Sequence, residues 1–211
     1  MTVIRIGREI ATENLVRGQS VYKERLVKKK GKEYRLWNPK RSKIGAALQK
    51  GMKIPFGESW LTLYLGVASG TTASHISDII KRGMIYGVDP APRVLREFLL
   101  LSETRTNLIP IFGNANHPES YRHVVPEVDF IIQDVAQPNQ SQIFLKNAEL
   151  YLKKGGLAFV AVKSRSIDVT LPPKKVFTQF KQEISDMFEI ISEKKLEPYQ
   201  KDHLALLLRK K

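Results

Sequence analysis

Five apolar runs in this chain each stop at a glycine or at a side chain that can bond a ligand: LTLYLG at Gly66, MIYGVD at Asp89, LIPIFGNA at Asn114, VDFIIQDV at Asp134 and LAFVAVK at Lys163. The first leads into VASGTT. There Gly66 and Gly70 permit a tight turn and a close backbone approach around Ala68, while Thr71 and Thr72 can cap the next helix and offer hydroxyls. Asp89 lies 23 residues beyond Gly66, where the acidic residue of a nucleotide site accepts both ribose hydroxyls. The spacing also sorts cofactors. G-x-x-x-G lacks the central glycine that lets a pyrophosphate sit close, and no lysine follows to neutralise terminal phosphates. S-adenosylmethionine has ribose and adenine but no phosphate, and fits better than NAD or a nucleoside triphosphate.

Such residues serve a site only if strands deliver them to one edge. From Trp60 the apolar runs alternate with the amphipathic segments TASHISDIIKRG, RVLREFLLLSE, QSQIFLKNAELYLKKGG and PKKVFTQFKQEISDMF, the rhythm of a parallel sheet with crossover helices. In the last segment Val176, Phe177, Phe180, Ile184, Met187 and Phe188 share one helical face. FEIISEKKLEPYQKDHLALLLRK reads as two closing strands. The predicted fold is α/β and Rossmann-like, a mostly parallel seven-stranded sheet with a terminal antiparallel hairpin, whose ligands bind outside the carboxyl ends of the strands. Ahead of it, from Thr2 to Trp37, VIRIG, LVRGQSVYKERLV and EYRLW read as strands with KKKGK as a hairpin turn. A short helix in KIGAALQKG and a linker IPFGES follow. The expected organisation is a small basic β-rich domain over 1–55 and a cofactor-binding domain over 56–211.

The 211 residues, 42% of them hydrophobic, suffice for a substantial core. The absence of cysteine excludes thiolate catalysis, disulfides and cysteine-bound metals; His75, His117, His123 and His203 lack ligand spacing, so no metal is expected. No apolar run reaches membrane length and the start lacks a secretory pattern, so the expectation is a cytoplasmic protein with no membrane contact. The formal charge of +14 is uneven: residues 1–55 hold 15 Lys/Arg against 4 Asp/Glu, and 56–211 hold 20 against 17. This concentration, interleaved with Tyr22, Tyr34 and Trp37, points to nucleic acid, although the same aromatics also suit a core.

The segments YRLWNPKRSK, LYLGVASGTTASHISDI, RTNLIPIFGNANHP, VDFIIQDVAQP, KSRSID and LEPYQKDH follow the order and spacing of the motifs of fibrillarin. From about residue 34 nearly the whole chain resembles that family, in the archaeal form without a Gly/Arg-rich amino-terminal extension. The resemblance implies a class I methyltransferase that moves a methyl group from S-adenosylmethionine to ribose 2′-hydroxyls of rRNA and tRNA. It implies as partners a box C/D guide RNA, a Nop-family scaffold protein and a kink-turn-binding, ribosomal-protein-like protein. Beside the loop residues Gly66, Ala68 and Gly70, it places cofactor contacts on Thr71, Thr72, Asp89, Pro90, Asn114, Ala115, Asp134, Val135, Ala136 and Gln137. It places a catalytic tetrad on Lys43, Asp134, Lys163 and His203. Asp89-Pro90 stands where the family usually has Glu and an aromatic, and Asn114 where it usually has Asp.

Methyl transfer from a sulfonium is an in-line displacement, so positioning is the main task, and the weakly nucleophilic hydroxyl benefits from a base or a nearby cation. The expected roles are Lys163 as base, Asp134 orienting Lys163, and Lys43 and His203 contacting the target ribose-phosphate. Taken singly, each is as well explained by a solvated or ion-paired group; their joint placement favours catalysis. A methyltransferase acting on protein or stand-alone RNA, and a non-catalytic RNA-binding subunit, remain open.

Overall fold

The computed structural model describes residues 3–211; Met1 and Thr2, where the small domain was expected to begin, lie outside the described residues. Strands β1 (Val3–Ile6), β2 (Glu9–Glu13), β3 (Leu26–Lys29) and β4 (Lys32–Leu36) form an antiparallel sheet in the order β1-β2-β4-β3. The KKKGK turn forms as expected. Lys30 and Gly31 both take positive φ, 50° and 74°, as a two-residue hairpin loop requires. The expected strand over residues 15–27 does not form, apart from its last two residues in β3. The second strand lies earlier, at Glu9–Glu13, and the stretch after it is a loop closed on side chains. Glu24 accepts from the amides of Val21 and Tyr22, and Glu33 accepts from the Gly18 amide and Asn14 Nδ2. Such side-chain bonds satisfy the backbone without a ladder.

After α1 (Lys43–Gln49) the chain alternates β5 (Leu61–Leu65), α2 (Thr71–Ile79), β6 (Met84–Asp89), α3 (Pro92–Thr104), β7 (Leu108–Phe112), β8 (Val128–Gln133), α4 (Gln140–Tyr151) and β9 (Leu152–Lys163). It closes with α5 (Ser164–Ile167), α6 (Pro173–Ile184), β10 (Phe188–Lys195) and β11 (His203–Lys210). The seven strands lie in the order β10-β11-β9-β8-β5-β6-β7, parallel except for β11, which pairs antiparallel with β9 and β10. This is the expected sheet with its terminal hairpin. The connections diverge between β5 and β8, so a crevice opens at their carboxyl ends.

Two boundaries differ from the expectation. β9 starts at Leu152 rather than Leu157, because buried Leu152 pairs with Val128 and Lys153 Nζ reaches Asp129 on the neighbouring strand at 2.7 Å. Helix α6 stops at Ile184, and Phe188 opens β10 instead of extending the helical face.

Both faces of the large sheet are covered. On one, Phe144 of α4 and Phe180 of α6 pack with Leu63, Ile131 and Leu206. On the other, Ile76 of α2 and Phe98 of α3 pack with Phe130 and Phe159, joined by Ile10, Trp37 and Ile44 from the small sheet and α1. Phe98, Phe144 and Phe180 are therefore core.

A buried ionic network fastens the small sheet to α2. Asp78 Oδ2 accepts from Arg35 Nη1 at 3.0 Å and Thr12 Oγ1 at 2.7 Å, and its Oδ1 accepts from Arg105 Nη1 at 2.7 Å and the Leu15 amide at 3.0 Å. Glu24 takes the Arg35 Nε at 2.6 Å, so two buried guanidiniums face two buried carboxylates. His75 lies inside this balance, stacked on Trp37 with ring centroids 4.6 Å apart. Because the Thr12 hydroxyl hydrogen goes to Asp78, Thr12 Oγ1 accepts from His75 Nδ1, 2.8 Å away, and the Tyr22 hydroxyl serves Nε2 at 2.8 Å. Burial pushes the Tyr22 phenol up to about 12, which keeps it a donor.

Burial first, then the fields of Arg35 and Arg105, hold His75 well below its ordinary value of 6.5. A histidine depressed in the folded state contributes stability that is complete above 6.5 and is lost as pH falls below that value, where only the unfolded chain takes up the proton. Urea unfolding of the wild type is expected to weaken between pH 7.5 and 5.5, with a slope of up to about 1.4 kcal/mol per pH unit from this residue. His75→Gln should give a shallower dependence; parallel pH profiles would contradict a buried neutral imidazole.

Candidate active site

The loop after β5 owes its glycines to the protein itself. Gly66 has φ 77° and donates its amide to Val88 at 2.9 Å; a Cβ there would sit 2.4 Å from the Asp134 carbonyl oxygen. The strand ends of β5 and β8 thus approach closely only because this residue lacks a side chain. Gly70, φ 85°, precedes α2, and a Cβ on it would strike the Phe98 ring at 2.5 Å. Ala68 also has positive φ, 49°, and its amide donates to Asp89 Oδ2 at 2.9 Å.

Asp89 is buried at the end of β6, and its Oδ1 accepts from the Ala91 amide at 3.0 Å across Pro90. Each oxygen so accepts one backbone bond and keeps a further acceptor position. Thr71 opens α2, half-buried, whereas Thr72 turns inward and donates to Ser42 Oγ at 2.9 Å. Beyond β7, Asn114 Oδ1 accepts from the Asn116 amide and side chain, and buried Ala115 offers its carbonyl to Asn147 Nδ2 at 2.8 Å. Asp134 continues β8, its amide donating to Leu65 at 3.0 Å; Val135 is half-buried, and Ala136 and Gln137 are exposed. The expected cofactor residues all stand at the carboxyl ends of β5 to β8, with Thr72 and Ala115 turned to the interior.

The four residues of the expected tetrad come from elements far apart in sequence. Lys43 is the first residue of α1 and places Nζ 3.1 Å from Asp134 Oδ2, with side chains 28% and 22% exposed. Ser42 fixes that helix start: its Oγ accepts from the Gly45 amide at 3.0 Å as well as from Thr72. His203 opens β11 directly opposite Lys163, the last residue of β9. Asp134 therefore pairs with Lys43, where the expectation had it orienting Lys163.

His203 Nδ1 lies 2.6 Å from the Lys201 carbonyl, which can only accept, so Nδ1 carries the proton. Burial is the main cause that lowers the His203 pKa; Lys43 and Lys163 push the same way, against the Lys201 carbonyl and Asp134. At neutral pH the ring is uncharged, with the lone pair on Nε2. The segment before it is held by Ser164, whose amide and Oγ donate to Asp202, and by Gln200 Nε2, which donates to Lys40 at 2.7 Å. Residue type alone did not single out Ser42 or Gln140. A serine just before KIGAALQKG was the available signal for the first; for the second there was only its place at the start of the amphipathic segment QSQIFLKNAELYLKKGG.

The family model described as Fibrillarin matches residues 2–211. The chain belongs to the fibrillarin family. It is 55% identical, over 97% of its length and 91% of the relative's, to the fibrillarin-like rRNA/tRNA 2′-O-methyltransferase of Pyrococcus abyssi. Among solved structures it is similar to Aeropyrum pernix fibrillarin in complex with natively bound S-adenosyl-L-methionine, with TM-score 0.88 and 49% identity over 95% of this chain and 88% of that one. It is also similar to fibrillarin in a fibrillarin/Nop5p complex, with TM-score 0.94 and 37% identity over 100% of this chain and 98% of that one. As in this family, the fold is a methyltransferase α/β sheet preceded by a small β sheet.

The packing around Gly66 gives a direct test. Gly66→Ala should lower stability by about 1–3 kcal/mol, from a left-handed backbone plus the collision with Asp134. Gly18→Ala, also at positive φ but with nothing near its Cβ, should cost less in urea unfolding. Equal losses would mean that the β5–β8 contact is not tight.

Proposed function

We propose that this chain is the catalytic subunit of a box C/D guide ribonucleoprotein and transfers a methyl group from S-adenosylmethionine to guide-selected ribose 2′-hydroxyls of rRNA or tRNA. The observation that carries this reading is the convergence of a Lys43–Asp134 ion pair and a neutral His203 opposite Lys163 at the point where the sheet connections diverge. The A. pernix and P. abyssi relatives support it by their named ligand and activity.

The donor set suits this cofactor. Asp89 and Asp134 would repel a pyrophosphate, whereas they complement a molecule with ribose hydroxyls and a net positive sulfonium and ammonium. Asp89 would hold the ribose, the turn from Asn114 to Ala115 and the segment from Asp134 to Gln137 would flank the base, and the Gly66–Gly70 loop would face the rest. When bound, the cofactor supplies an electrophilic methyl group. Lys163, once its ammonium proton has gone to solvent, accepts the hydroxyl proton at Nζ as the neutral amine while the 2′-oxygen becomes the nucleophile. Asp134 holds Lys43 by charge, and Lys43 in turn donates to the ribose-phosphate. His203 Nε2 accepts a hydrogen bond from the target ribose, with its tautomer set by Lys201.

RNA is the substrate that the surface favours. A groove of about 750 Å³ runs beside the entry to α1; Arg8, Lys23, Arg25, Lys40 and Arg41 line it with Tyr22 and Tyr199, and its two carboxylates, Glu9 and Glu24, are paired with Arg25 and Arg35. Its cations read backbone phosphate rather than bases, which suits an enzyme whose target is chosen by guide pairing. We read residues 1–55 as the unit that brings this basic surface and Lys43 to the catalytic unit, 56–211. A Nop-family scaffold, as in the fibrillarin/Nop5p complex, and a kink-turn-binding protein complete the particle.

In a particle reconstituted with guide and target RNA, Lys163→Ala should reduce the single-turnover transfer rate by about 100-fold or more, the scale of a lost acid–base group, with cofactor affinity retained. Near-normal transfer by this variant would remove Lys163 from the chemistry.

A further inference from the structure

We propose that Gln140 is a positioning residue for Lys163, acting through the backbone of the strand that carries it; the inference rests on the role given to Lys163 above. The parallel ladder between β8 and β9 ends at Gln133 opposite Val160, so among the described residues β9 runs on to Lys163 with no strand beside it on that edge. On the other edge β11 still pairs, with His203 opposite Lys163. A single side chain closes the open edge. Gln140 Oε1 accepts the Lys163 amide at 3.1 Å, and Gln140 Nε2 donates to the Lys163 carbonyl at 3.1 Å. The carboxamide does for Lys163 what a directly opposed residue does in an antiparallel hydrogen-bonded pair.

Gln140 is itself fully buried and anchored. It is the first residue of α4, and its carbonyl accepts from Gln133 Nε2 at 2.8 Å. The last residue of β8, the first of α4 and the last of β9 are thus joined in one chain of hydrogen bonds. That chain closes beneath the 134–139 loop, which carries Asp134. An apolar side chain at position 140 would fill similar space but leave an N–H and a C=O of Lys163 without their partner, and a lysine rooted in a relaxed strand end loses its alignment with the reacting oxygen.

The test uses the full chain in the reconstituted particle. Gln140→Met should lower kcat at least about 10-fold, since a misplacement near 1 Å can cost about 100-fold, with KM for target RNA and cofactor Kd unchanged. Gln140→Glu keeps the acceptor for the Lys163 amide, should restore part of the rate, and supplies a second variant should the first fold poorly. On the residual rate of Lys163→Ala, Gln140→Met should have no further effect, because two residues acting as a unit are not additive. Amide hydrogen exchange reads the geometry without activity: the Lys163 amide should be protected in the wild type and exchange at least 10-fold faster in Gln140→Met. An unchanged kcat, an equal loss in the Lys163→Ala background, or unchanged exchange at Lys163 would each overturn the proposal. Near-normal transfer by Lys163→Ala alone would instead overturn the role of Lys163, while the exchange measurement still decides whether Gln140 holds its backbone.

Discussion

The constraint on which the rest depends is the buried carboxylate of Asp78. It accepts from β2 through Thr12, from β4 through Arg35, from the segment after α3 through Arg105, and from the Leu15 amide. A carboxylate with two guanidiniums would leave one buried positive charge in excess, and Glu24 supplies the missing negative charge on Arg35. The set is neutral only if His75 is also neutral, as its burial and the fields of Arg35 and Arg105 keep it. Buried ion pairs of this kind contribute little net stability over apolar packing, but breaking one is costly, so they fix one arrangement rather than strengthen many.

That arrangement reaches the site through short links. The small sheet, held on α2, fixes where the chain enters α1; Ser42 then bonds Thr72 on α2 and caps α1, and the next residue is Lys43, beside Asp134. The other half of the site comes from the edge of the large sheet, where β11 places His203 against Lys163 and Gln200 ties the preceding loop back to Lys40. Two units separated in sequence thus meet at one crevice, and the electrostatics divide accordingly. Carboxylates at the ends of β6 and β8 suit a cationic cofactor, and the cations of the small unit suit a polyanion.

Much of this was legible in the sequence because strand ends announce themselves. Apolar runs stopping at Gly66, Asp89 and Lys163 located the sheet and the edge at which its strands end, and the motifs carried the assignment to fibrillarin. What was not legible depends on side chains that answer partners distant in sequence. The loop between β2 and β3 looked like a strand because its Val16 and Val21 favour one, but Glu24, Glu33 and Asn14 close it instead. The glycines at 66 and 70 looked like a cradle for a ligand, yet their immediate neighbours are Asp134 and Phe98 of the same chain. The pairing of Asp134 with Lys43 rather than Lys163, and the bridging by Gln140, are set by the crossing of α1, α4 and β9, which periodicity does not encode.

The most direct measurement is the position of the transferred methyl group. Target RNA would be incubated with labelled S-adenosylmethionine and the reconstituted guided particle, digested to nucleosides and mapped by mass spectrometry, with a second guide shifted by one nucleotide. The account predicts one methyl group on a ribose 2′-oxygen that moves with the guide. A methyl group on a base or on protein, a site indifferent to the guide, or no transfer by an intact particle would contradict it.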